Sequence, residues 1–183
     1  EFTTPQLYNS IHLIRHKKYA IQEGAINIEN IQNILNNIQV VEEPKLPFPQ
    51  ADSFERVINL CELLKQKGFI SKNDITQNYD FDYRQTNYYS SAARYLGLIK
   101  DVYENRQTGC SLTQEGFRIF NLPIVERQLE FVKLILTHTV FQNTLNLYFE
   151  KGDAPTKDEV VEIMKEAQLY NICLLYTSDA ADE

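Results

Sequence analysis

The side chains best suited to chemistry lie between positions 83 and 107. Arg84, Asn87, Ser91 and Arg94 recur at steps of three and four residues, so a helix built over this stretch carries them on one face. Tyr83 and Gln85 flank that face near its start. Arginine pairs with guanine, and glutamine or asparagine with adenine, each through two hydrogen bonds; a good pair contributes about 1–3 kcal/mol of discrimination. Tyr83, Tyr88, Tyr89 and Tyr95 are interleaved with these groups. Aromatic rings beside guanidinium groups suit phosphate and base contacts, although tyrosines also fill cores. Further along, Asn105, Arg106 and Gln107 form a polar tip that could follow a DNA backbone or minor groove, or simply turn a hairpin. The plain alternative for the helix is a solvated polar face.

Catalytic signals are poor. His12 and His16 stand four apart, but zinc needs three or four ligands, and Arg15, Lys17 and Lys18 beside them make a basic patch the simpler reading. Glu43-Pro44-Lys45 is similar to the acidic-x-Lys end of nuclease sites, yet it lies in a proline-rich stretch expected to be too loose to hold a metal ligand. His138 stands near a helix end without a Ser or Cys partner, and no glycine-rich phosphate loop occurs. Of three cysteines, Cys61 falls on an apolar helix face, and no CxxC spacing links it to Cys110 or Cys173. An odd, sparse count suits a reducing cytoplasm. No cofactor, metal site or catalytic residue is expected.

These residues need elements to position them. Residues 41–51, with three prolines, read as an extended linker. Asp52 or Ser53 caps a helix whose apolar stripe is Phe54, Val57, Ile58, Cys61 and Leu64, ended by Gly68. Phe69-Ile70 is a short extended piece, and Ser71 caps a brief helix through Thr76. After a polar turn, Asp80 caps a helix over Phe81–Leu96, with Phe81, Tyr88 or Tyr89, Ala92 and Leu96 inward and Gly97 as its stop. Leu98–Tyr103 alternates like a strand, Glu104–Gly109 is a polar turn, and Cys110–Leu112 is a second short strand. Thr113 caps a last helix running to Phe120. The expected fold is mainly α: a winged helix-turn-helix over 52–122, with a three-helix core and a β-hairpin wing. A second helix-turn-helix-like module follows over 124–172, with helical stripes at Leu129–Leu136 and Phe141–Phe149 and a helix capped by Thr156. That module is expected to be truncated before its reading helix. Residues 1–40 carry two amphipathic stretches and are expected to be a helical end of an upstream region.

The chain has 183 residues and a net charge of −7, which argues mildly against nucleic acid. Residues 53–122, however, hold nine Lys and Arg against eight Asp and Glu, so the acidity lies elsewhere, in segments such as Val41–Glu43 and Asp158–Glu166. No run of about 18 apolar residues is present, so no membrane span is expected, and no signal peptide is read at the start. The first residue is Glu1 rather than methionine, so upstream sequence is expected to be missing. Residues 173–183, Cys-Leu-Leu-Tyr-Thr-Ser-Asp-Ala-Ala-Asp-Glu, resemble a translated transposase-type sequencing adapter, and native sequence is expected to stop near Ile172.

At Pro47–Val57, Tyr79–Tyr89 and Ala92–Leu98, continuing through Glu126–Leu129 to Leu169–Asn171, the chain resembles a family of bacterial winged-helix domains associated with restriction–modification systems. The resemblance covers about residues 45–172 and implies a basic helix after Asn171 and any nuclease chemistry upstream of Glu1. The expected activity is sequence-specific binding of double-stranded DNA through Tyr83, Arg84, Gln85, Asn87, Tyr88, Ser91, Arg94, Asn105, Arg106 and Gln107. The expected partners are duplex DNA and an upstream nuclease domain, with a homodimer left open. A stand-alone transcriptional regulator and a protein-interaction winged helix are the alternatives.

Overall fold

The structure, a computed structural model, describes residues 27–71, 73–75, 83–104 and 106–170, with backbone only for residues 83–86. The first of the two amphipathic stretches read in residues 1–40, His12 and His16, the turn and cap at Asn78–Asp80, Asn105 and the segment 173–183 lie outside the described residues. The chain divides into two compact units, Glu1–Asn37 and Ile38–Glu183. The first contributes one described helix, α1, Ile28–Asn37. Its start is held by a reciprocal pair of bonds, in which Asn30 N–H donates to Asn27 Oδ1 at 2.8 Å and Asn27 N–H to Asn30 Oδ1 at 3.0 Å.

The second unit opens with residues 38–52, which form neither helix nor strand. It continues with α2 (Phe54–Lys67), β1 (Ile70–Ser71), a helical turn at residues 73–75, α3 (Tyr83–Tyr95), β2 (Ile99–Glu104) and β3 (Gln107–Leu112). Four helices complete the order after α3: α4 (Gln114–Phe120), α5 (Ile124–Leu136), α6 (Thr139–Lys151) and α7 (Lys157–Glu166) follow the hairpin. The protein is therefore mainly helical, with one small antiparallel sheet of order β1-β3-β2.

Local chemistry explains the boundaries. Ser53 Oγ accepts from the Arg56 N–H at 3.4 Å and caps α2, leaving Asp52 for another task. Gly68, at φ 78°, closes α2 through its N–H to the Leu64 carbonyl at 2.8 Å. Thr113 caps α4 by accepting from Gly116 N–H at 2.9 Å, and Thr156 and Glu159 form a full capping box on α7. Val57, Leu60, Cys61, Leu63 and Leu64 of α2 pack with Tyr89, Ala92 and Ala93 of α3, with Leu96 just after it, and with Ile119, Phe120 and Phe131. Phe54, expected on the buried stripe, is instead one-third exposed and meets Phe131 edge-on at 5.5 Å.

The hairpin is tighter than its sequence suggests. Glu104 pairs with Gln107, so two residues turn the chain, and Arg106 takes a left-handed φ of 63°. Gln107, Thr108 and Gly109, read as turn, are strand residues. The reason lies in β1, where Ile70 pairs with Cys110 and Ser71 with Gly109. A Cβ on Gly109 would sit 2.2 Å from the Ile70 carbonyl oxygen and 2.6 Å from the Phe69 ring. The glycine is there for close approach, not for turning. Gly109→Ala is expected to lower stability by about 1–3 kcal/mol, as overpacking does, measured by chemical denaturation; an unchanged midpoint would contradict the β1–β3 contact.

Candidate nucleic-acid interface

Helix α3 and the β2–β3 hairpin carry most of the polar groups singled out above. On α3, Asn87, Tyr88, Ser91 and Arg94 are half-buried, whereas Tyr89, Ser90, Ala92, Ala93, Tyr95 and Leu96 beside or between them are buried. The steps of three and four thus separate a partly open face at Asn87, Ser91 and Arg94 from the packed ones. Tyr83, Arg84 and Gln85 stand in the first turn of α3, and their side chains lie outside the described residues. On the hairpin, Arg106 and Gln107 are exposed.

The helix and the hairpin are braced to each other. Arg94 Nε donates to Asp101 Oδ1 of β2 at 2.9 Å, with the Arg94 side chain only 18% exposed. Arg94 is therefore held against the sheet rather than extended from the helix, and Asp101 offsets its charge. Taken with the hairpin, Arg94, Lys100 and Arg106 are three cations against the two carboxylates Asp101 and Glu104, so the net charge is small. Tyr103, 73% exposed on β2, is its one large apolar surface group.

Two of the four tyrosines weighed as nucleic-acid contacts are structural. The Tyr89 hydroxyl donates to Asp52 Oδ1 at 2.7 Å and accepts from Arg56 Nη1 at 2.9 Å, joining α3 to the start of α2. The Tyr95 hydroxyl donates to Glu43 Oε2, and its ring stacks on His138 with centroids 4.4 Å apart. Burial, reinforced by the Glu43 carboxylate, holds the Tyr95 phenol well above its ordinary range. Both rings face inward, so neither is available to a base.

The proline-rich segment also differs from a loose linker. Leu46, Phe48 and Ala51 pack on the core, and Glu43 is held by Tyr95, His138 and the Thr139 N–H. His138, which shows no partner in its own neighbourhood of the sequence, finds one 95 positions away. No sequence spacing signals that pairing; only the fold supplies it. Among the described residues no group of three or more His, Cys, Asp or Glu could hold a metal ion. A shallow groove of about 280 Å³ lies between Leu64, Gly68, Leu112 and Phe117. Its ammonium, Lys65 Nζ, donates to the Phe120 carbonyl at 2.6 Å. No described helix is long and apolar enough to cross a membrane.

The arrangement defines a mainly helical protein whose third helix is pinned to a three-stranded antiparallel sheet. Residues 56–177 match the family described as a domain of unknown function (DUF7226), and the chain belongs to that family. The matched region runs past the sheet into α5–α7 and ends within the segment that resembles an adapter. No curated protein matches the chain.

The brace is testable. A double-mutant cycle on Arg94→Ala and Asp101→Asn should give a coupling of about 0.2–1 kcal/mol, the range for partly exposed ion pairs, read from denaturation midpoints. Strict additivity would mean the two side chains are not engaged in solution.

Proposed function

We propose that residues 52–122 form a winged helix-turn-helix that binds double-stranded DNA with sequence preference, α3 being the reading helix and β2–β3 the wing. The observation that carries this reading is the sheet order β1-β3-β2, in which the short strand ahead of α3 pairs with the far strand of the hairpin. That order sets the hairpin beside the C-terminal end of α3, where Arg94 meets Asp101, and leaves the N-terminal turn of the helix to lead into a groove. In helix-turn-helix proteins it is those leading residues that reach base edges. Here they are Tyr83, Arg84 and Gln85, followed by Asn87 and Tyr88. Ser91 lies one turn behind, Arg94 acts as the brace, and Asn105, Arg106 and Gln107 contact the sugar-phosphate backbone.

The resemblance at Tyr79–Tyr89 to winged-helix modules of restriction–modification systems supports placing the domain in a defence protein. A stand-alone regulator is the competing form, and the full reading frame separates the two. A protein-interaction winged helix is favoured by one specific observation: Asp101 offsets Arg94, and the hairpin carries nearly balanced charge.

Selection from a randomised duplex library tests the reading. Arg84→Ala and Gln85→Ala should each relax preference at one or two base positions, a loss of about 1–3 kcal/mol in discrimination. Arg106→Ala should weaken all sequences alike. Affinity should fall with salt at a log–log slope of about −2 to −3, as expected for two or three phosphate contacts. A flat salt response with no selected sequence would favour the protein-interaction reading.

A further inference from the structure

The Glu43 carboxylate is largely buried and meets two donors, the Thr139 N–H and the Tyr95 hydroxyl, and the His138 imidazole. Its side chain is 10% exposed and that of His138 is 5% exposed. Oε1 accepts from the Thr139 N–H at 2.9 Å, while Oε2 accepts from the Tyr95 hydroxyl and meets His138 Nδ1 at 3.2 Å. Thr139 is the first residue of α6, whose N-cap, His138, makes no side-chain cap of its own. Glu43 therefore caps α6 from a distant segment, and its charge lies at the positive end of that helix.

Neighbouring contacts close the same seam. Val41 N–H donates to the Thr137 carbonyl at 2.9 Å, at the corner between α5 and α6. Phe48 meets Tyr95 edge-on at 5.6 Å and stacks on Phe141 at 5.4 Å. Tyr95 is the last residue of α3. Residues 41–48 thus touch the end of one helix and the beginning of another, at the place where the Tyr95 ring also stacks on His138. Pro44 and Pro47 restrict the segment when it is released, which reduces the entropy lost on closing.

We propose that residues 41–48 are a clasp, keyed by Glu43, that locks the C-terminal end of α3 to the N-terminus of α6. When it is released, the α5–α6 corner and the end of α3 loosen, while the α2–sheet core stays folded. The clasp sets how α3 is held against the α5–α7 helices, and it does so from sequence ahead of residue 56, where the family match begins. The proposal does not depend on whether α3 binds DNA.

Amide hydrogen exchange on the full chain tests it. Glu43→Ala should speed exchange at Thr139 and Val41 by about tenfold or more, the scale for losing a hydrogen bond to a charged acceptor, and leave Leu60–Leu64 of α2 unchanged. Glu43→Gln retains a neutral acceptor for Thr139 and should recover part of that protection. Tyr95→Phe keeps the carboxylate and removes one donor, so it remains informative should Glu43→Ala fail to fold. It should speed Thr139 exchange by less than Glu43→Ala does, and in a double variant the two effects should not add. Unchanged exchange at Thr139 in Glu43→Ala or Tyr95→Phe, an equal rise at Leu60–Leu64, or strict additivity would overturn the clasp.

Discussion

One helix, gripped on three sides, determines the rest of this molecule. Tyr89 ties α3 to Asp52 and Arg56 at the start of α2, Arg94 ties it to Asp101 on the sheet, and Tyr95 ties it to Glu43. Between these bonds Ala92 and Ala93 bring the helix close to the core, where both are buried. A helix of 13 residues is marginal by itself and holds its place through tertiary contacts. Each tyrosine contributes a large buried ring and a hydroxyl that finds a partner. Among the described side chains of the helix, Asn87 and Ser91 lie half-buried on a further side.

The fastening extends past the sheet. Leu98 closes α3 through its N–H to the Ala93 carbonyl at 2.9 Å, and its own carbonyl accepts from Thr113 N–H at 2.9 Å, joining the helix to α4. A Cβ on Gly116 would sit 2.1 Å from that same carbonyl oxygen, so α4 can lie this close only with glycine there. Beyond α4, Arg127 of α5 pairs with Glu62 of α2 and lies over the Phe120 ring at 5.5 Å. Phe131 joins the core and meets Phe120 at 5.5 Å. This continuity gives a physical reason for the family match to run through α5–α7 rather than stop at the hairpin.

Much of this order is legible in the sequence because it is written locally. Ser53, Gly68, Gly97, Thr113 and Thr156 mark helix ends by capping chemistry that needs no distant partner. The helical spacing of Asn87, Ser91 and Arg94 likewise assigns their common face. What the sequence hides is set by non-local pairing. Gly109 reads as turn until β1 is known to lie against it, and Tyr95 reads as a surface aromatic until Glu43 is placed beneath it. Residues 41–51 read as a spacer because prolines look the same in a free linker and in a packed strap. Arg94 reads as a ligand for DNA until Asp101, seven positions later, takes its guanidinium.

The central claim is that the open side of α3 and the neighbouring hairpin receive a DNA duplex. Titrating duplex oligonucleotide into isotope-labelled protein and following backbone amide resonances tests it directly. The account predicts shifts concentrated at Tyr83–Ser91 and Glu104–Gln107, with α7 silent. Shifts confined to α6 and α7, or none at low salt, where even non-specific binding to DNA persists, would contradict it.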